Sequence, residues 1–174
     1  HSALALGEDI ISINSFSKYF NMTGWRLGWM VVPPSLVPVI ERLAQNLFIC
    51  PSTIAQHAAL ACFEPESIAL YEARRAEFKA RRDYFIPALR ELGFSVPVEP
   101  DGAFYVWADC SELCAKLGLK SSWEFAFEVM NRAHVAITPG RDFGTAQTAQ
   151  FVRFSTASSM KQLETAVQRL RAML

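Results

Sequence analysis

Short apolar runs separated by polar loops, followed by longer mixed segments, predict a protein of mixed helix and strand. Residues 9–14 (DIISIN) and 25–32 (WRLGWMVV) read as two buried strands, the second stopped by Pro33-Pro34. Between them lies a polar loop, SFSKYFNMTG, marked by Ser and Gly. Ser35 is placed to cap a helix running to about Leu47, and Pro51 to open another through about Phe63. The longest helix is predicted from Pro65 to Leu92, with Ile68, Tyr71, Phe78, Phe85, Ile86 and Leu89 at loosely helical spacing. Its charged positions, from Glu72 through Lys79 and Arg81 to Asp83, read as a solvated face. Pro87 is expected to kink its last third.

Beyond Gly93 the elements become shorter. FSVPV reads as extended, and AFYVWAD after Gly102 as a clear strand. Ser121 and Ser122 are placed to cap a helix through Arg132; VAIT follows as a brief strand and PGRDFG as a turn. FVRFSTA is the last predicted strand, and Ser159 to Leu174 an amphipathic closing helix. This order predicts the end of an α/β sheet, then helices, then a small α+β unit. The expected division is residues 1–34, a connecting helix over 35–50, and a second domain over 51–174.

Composition narrows the classes. Hydrophobic residues make up 51% and charged residues 20%, enough apolar material for a core. Lys+Arg (17) balance Asp+Glu (17) with no basic block, which argues against a nucleic-acid or anionic-membrane partner. Residues 43–63 carry no charge but hold Gln45, Asn46, Pro51, Ser52, Gln56 and His57, so they read as a buried soluble segment and not a membrane span. Cys50, Cys62, Cys110 and Cys114 read as reduced thiols of a cytoplasmic protein, with no metal site. His57 reads as packed in an apolar helix and His134 as sitting at a helix end.

The chemistry concentrates in Ser15-Phe16-Ser17-Lys18 and Met22-Thr23-Gly24-Trp25-Arg26-Leu27-Gly28. Two hydroxyls precede a lysine in a loop, and an arginine follows at the next strand. These groups suit a phosphate-bearing aldehyde: Arg offers a planar fork for phosphate oxygens, Ser adds hydrogen bonds, and an amine of depressed pKa attacks an aldehyde carbon. By residue statistics alone, Lys18 also reads as an ordinary solvated lysine. Likewise, Arg153 in Phe151-Val152-Arg153-Phe154-Ser155 fits either a carboxylate clamp or a strand arginine paired with a structural acid.

The S-x-S-K and M-T-G-W-R-x-G pair resembles the lysine motif of class I/II aminotransferases, fold type I enzymes that use pyridoxal 5′-phosphate (PLP). The resemblance implies that Lys18 holds PLP as a Schiff base and shuttles the substrate proton. It also implies that Arg26 and Ser15 bind the phosphate, with Ser17 a further candidate. Val152-Arg153-Phe154-Ser155 resembles the family's V-R-[IFL]-[SA] motif, whose Arg clamps the substrate α-carboxylate. Gly102-Ala103-Phe104-Tyr105 resembles a strand start lining the substrate pocket, which makes Phe104 a substrate-binding candidate. Pro139-Gly140-x-x-Phe143-Gly144 resembles the family's P-G-x-x-F-G loop, to which only a shaping role is given.

The implied fold is the end of the fold type I large-domain sheet followed by the small C-terminal domain. The implied reaction moves an amino group from an amino acid to a 2-oxo acid, in an enzyme that is a homodimer when full-length. In the family the aspartate at the pyridine nitrogen, and the asparagine and tyrosine near the 3′-oxygen, precede the lysine. Only seventeen residues precede Lys18. The chain is therefore expected to be a C-terminal fragment, inactive or nearly so alone. Two relatives carry similar motifs and stand as alternatives: a PLP-dependent carbon–sulfur lyase, and an aminotransferase-like effector-binding domain of a regulator.

Overall fold

The computed structural model describes residues 2–174, which form two compact units, one ending at Ala73 and the other running from Arg74 to Leu174. In the first unit, β1 (Ser12–Ser15) and β2 (Gly28–Val31) form an antiparallel ribbon with Ser15 opposite Gly28. Glycine is needed at position 28, because a Cβ there would stand 2.6 Å from the Asn14 carbonyl oxygen. Both strands are shorter than the apolar runs predict. Thr23–Trp25 closes into a 3₁₀ turn, and Arg26 takes a left-handed φ of 54°, so extended pairing begins only at Gly28.

Helices α1 (Val37–Leu47) and α2 (Thr53–Leu60) follow. Ser35 does not cap α1: it lies inside a 3₁₀ turn, Pro34–Leu36, and Leu36 takes the cap position without a side-chain bond. A small core joins the loop residues Phe16, Met22 and Leu27 to Ala55 and Ala59 of α2 and to Cys62. This packing draws α2 and Cys62 into the same compact unit as the β1–β2 ribbon. The uncharged segment is not buried as expected. Only small side chains face inward, while Leu47 (76% exposed), Ile49 (78%) and His57 lie in solvent.

Helix α3 (Pro65–Glu91) runs unbroken through Pro87. The missing N–H removes one bond, but Phe85, Ile86, Ala88 and Leu89 are buried around it and hold the helix together. Its charged positions form i,i+4 pairs, Glu77 with Arg81 and Lys79 with Asp83. Arg81 departs from a solvated face, being 12% exposed and donating to the Ala157 carbonyl at 3.1 Å.

The second unit continues with β3 (Tyr105–Asp109), α4 (Ser111–Leu117), α5 (Ser122–Ala133), β4 (Thr138–Pro139), β5 (Phe151–Ser155) and α6 (Met160–Met173). The strands form an antiparallel sheet in the order β3-β5-β4. Alternation buries Val106, Ala108, Val152 and Phe154 on one face. Leu89, Phe125, Val129, Leu163, Val167 and Leu170 from the helices complete that core. Each such large side chain contributes about 1.5–3 kcal/mol by leaving water.

Helix α4 is absent from the predicted elements. It is a single short stretch preceded by Asp109, whose carboxylate accepts the Ser111 N–H at 2.7 Å, and it ends at Gly118 with φ of 70°. Ser121 stands at the N-cap of α5 but makes no side-chain cap bond, and of VAIT only Thr138 pairs, in β4 with Pro139. Ser159 caps α6, at the start of the predicted closing helix. Its hydroxyl accepts the Gln162 N–H at 3.4 Å while Gln162 Oε1 accepts the Ser159 N–H at 3.1 Å.

Candidate active site

The loop from Ser15 to Arg26 is closed at its base by the Phe16 N–H donating to the Leu27 carbonyl at 3.1 Å. Inside it, the Met22 N–H donates to the Phe16 carbonyl at 3.0 Å, and the Asn21 N–H to the Lys18 carbonyl at 2.9 Å. Asn21 takes a φ of 56°, a conformation asparagine tolerates, and so makes a tight turn directly after Lys18. Side chains bind the rest together. Ser15 Oγ accepts the Ser17 N–H at 3.0 Å, Thr23 Oγ1 donates to the Ser17 carbonyl at 2.7 Å, and an Arg26 guanidinium N–H donates to the Thr23 carbonyl at 3.0 Å. Ser15, Ser17, Lys18 and Arg26 thus share one hydrogen-bonded loop, with Lys18, Ser15 and Arg26 exposed.

The loop rests on buried Phe16, Met22 and Leu27, with Cys62 Sγ 3.1 Å from Met22 Sδ. Tyr19, next to Lys18, packs its ring 5.3 Å from that of Tyr71 and donates its hydroxyl to Glu72 Oε1 at 2.6 Å. Neither contact is visible in the sequence, since the partners are more than fifty positions apart. As a donor set, the loop fits a phosphate-bearing aldehyde. The Ser15 hydroxyl accepts one bond and keeps its own proton to give, and a guanidinium has five N–H donors, only one of which Arg26 commits to Thr23.

Phe104 and Arg153 belong to the second unit. Arg153 pairs with Trp107 across β3 and β5 and with Thr138 across β4, so it sits on the sheet face opposite the core. Among the described residues it makes no ion pair. Its guanidinium carbon lies 4.1 Å from the Tyr105 ring centroid and 4.5 Å from that of Phe143. Trp107 meets Phe143 edge-on at 5.4 Å and stacks on Phe151 at 5.4 Å. Phe104 is half-buried, with its ring 5.5 Å from Phe78 and 4.5 Å from Tyr105. Its carbonyl accepts the N–H of buried Thr156 at 2.8 Å.

Tyr105, Trp107 and Phe143 escaped the reading of single segments. For Tyr105 and Trp107 the signal was present in the two-residue period of β3 and β5, which puts 105, 107, 151 and 153 on one face, whereas Phe143 lies on neither strand. Among the described residues no group of His, Cys, Asp or Glu could hold a metal ion, and no helix is long and apolar enough to cross a membrane.

Comparison with known proteins agrees with these motifs. Residues 2–170 match the sequence model of the aminotransferase class I and II family. The chain is 38% identical over 167 residues to the valine–pyruvate aminotransferase of Mycobacterium tuberculosis, covering 96% of this chain and 42% of that protein. It is 36% identical over 161 residues to an aspartate aminotransferase of Bacillus sp. (strain YM-2), covering 92% of this chain and 40% of the relative. Among solved structures, an aminotransferase from Mycobacterium tuberculosis superposes with a TM-score of 0.91 at 37% identity, over 99% of this chain and 43% of that one. The chain thus spans about two fifths of the length of these relatives. At this identity and coverage, the two units carry the α/β fold of these aminotransferases, and the chain belongs to the class I and II aminotransferase family.

Proposed function

We infer that the protein to which this sequence belongs transfers an amino group from an amino acid to a 2-oxo acid with PLP as cofactor. The observation that carries the reading is the single hydrogen-bonded loop that presents Ser15, Ser17, Lys18 and Arg26 together. Arg26 and Ser15 hold the phosphate, and Ser17 adds to the same hydroxyl and N–H array. Lys18 would hold the cofactor through its side-chain amine. Lys18 Nζ would take the proton from the substrate Cα and return it. Bound there, PLP supplies the electron sink for breaking the Cα–H bond. Arg153 takes the substrate α-carboxylate through paired N–H bonds, which fixes which Cα bond faces the base. Phe104 lines the pocket wall.

In this reading, residues 1–34 finish a large cofactor domain, 35–50 connect, and 51–174 make the small domain. Exposed Leu47, Phe48, Ile49 and Ile54 support burial against a second subunit, as in a homodimer. Four free cysteines support a reducing, cytoplasmic compartment. The reaction is tested on protein purified from its source organism. Keto-acid release from amino acids is followed with and without 2-oxoglutarate. Release that requires the acceptor supports transfer; release without it means elimination, and no release overturns the activity.

A further inference from the structure

The P-G-x-x-F-G loop has no role in the reaction as described, yet it delivers a ring to Arg153. We propose that Phe143, together with Tyr105, is a positioning residue for Arg153. The two rings hold the guanidinium so that its N–H edge stays available to a substrate carboxylate. The inference rests on the carboxylate-binding reading of Arg153 given above.

Three observations within the second unit support it. First, both rings reach the guanidinium, at 4.1 and 4.5 Å from centroid to carbon, while no described carboxylate pairs with it. A ring face attracts the cation but takes up none of its in-plane donors, so the fork stays free for a planar acceptor. Second, Phe143 is itself held. Trp107 meets it edge-on at 5.4 Å and is in turn stacked on Phe151, two residues before Arg153. Third, the turn that carries Phe143 (Gly140–Phe143) is pressed against the chain entering β5. A Cβ at Gly140 would stand 2.1 Å from the Thr148 carbonyl oxygen and 2.7 Å from that of Phe151, so only glycine allows this approach. Phe143 nevertheless remains 46% exposed, as expected of a ring that serves a surface site and not the core.

An untethered arginine samples many rotamers, and each carboxylate it captures must first order it. Two rings that fix it beforehand remove that cost and shed water from its faces. The consequence falls on carboxylate affinity and not on the fold.

The test uses the whole chain with the arginine Nε–H groups observed by NMR. In the unliganded chain, the Arg153 Nε–H signal is expected to show the upfield shift of a proton near ring faces. Phe143→Leu is expected to diminish that shift and Phe143→Tyr to keep it. In titrations with pyruvate, Phe143→Leu is expected to weaken binding about 3- to 10-fold, with Phe143→Tyr restoring it. Phe143→Met serves the same comparison should the leucine variant not fold. Arg153→Leu separates the two ideas. If pyruvate binding needs Arg153 but neither Phe143→Leu nor Phe143→Met changes the shift or the affinity, the positioning role is overturned and the carboxylate site stands. If Arg153→Leu leaves pyruvate binding unchanged, or the parent chain does not bind it, the carboxylate site itself is overturned.

Discussion

Trp107 on β3 stands directly opposite Arg153 on β5, and both lie on the sheet face turned away from the helices. That register places a cation among Tyr105, Trp107, Phe143 and Phe151 instead of in the core. A one-residue slip would bury Arg153 and expose Val152 and Phe154, so the apolar packing beneath fixes the face on which the guanidinium appears.

Gly140→Ala tests how that face is built. The new methyl would meet two backbone carbonyl oxygens, Thr148 and Phe151, which cannot rotate away. The expected cost is about 1–3 kcal/mol, read as a lowered midpoint in urea. Signals of Phe143 and Arg153 should shift in the same spectra. An unchanged midpoint with unchanged spectra would mean that the turn is looser than described.

The core beneath is tested at Leu89, which is fully buried where α3 meets the sheet. Leu89→Ala should cost about 2–5 kcal/mol, since it loses burial and leaves a cavity. Equilibrium unfolding followed by circular dichroism measures it. A cost below about 1 kcal/mol would contradict the packing of the second unit.

The helices and the reactive motifs were the legible part of the sequence. Helix α3 is long and bounded by Pro65 and Gly93, and Ser159 with Gln162 spells a capping box, so these ends are set by local chemistry. Lys18 and Arg153 stand out in the sequence because their neighbours form specific motifs. What the sequence hid depends on distant partners or on backbone with no local signature. Arg26 reads as strand until its left-handed φ is seen. Helix α4 has too few residues for a period to show. Tyr19 gives no hint of Glu72, and Phe143 gives none of Arg153, because tertiary packing alone brings them together.

Thiol chemistry gives a pH-dependent test. Burial pushes the Cys110 and Cys114 thiols above the ordinary range, with the Asp109 charge acting in the same direction on both. The folded state therefore favours the protonated thiols. That contribution is full below the unfolded thiol value of about 9 and is lost as pH rises beyond it. At pH 8, a thiol reagent should label exposed Cys50 quickly and Cys62, Cys110 and Cys114 only slowly. Between pH 8 and 10 the unfolding midpoint should fall, and fall less in Cys110→Ala. Rapid labelling of all four native thiols would contradict the burial.

The first unit leaves apolar side chains in solvent on both its ribbon and its helices, including Ile13 (77% exposed), Leu47, Ile49 and Ile54. Such a surface favours association, and β1–β2 has open edges for pairing. The isolated chain should bind an apolar dye such as ANS and increase in apparent size with concentration in light scattering. Ile13→Lys with Ile49→Lys should reduce both signals. A chain that binds no dye and stays monomeric at high concentration would contradict these exposures.

The most direct measurement is borohydride reduction of the protein purified from its source organism, followed by peptide mass mapping. A pyridoxyl group on the peptide carrying Lys18, absent in Lys18→Ala, is the predicted result. An unmodified Lys18, or a pyridoxyl group on Lys79, Lys116, Lys120 or Lys161 instead, would contradict the assignment of the loop as the cofactor site.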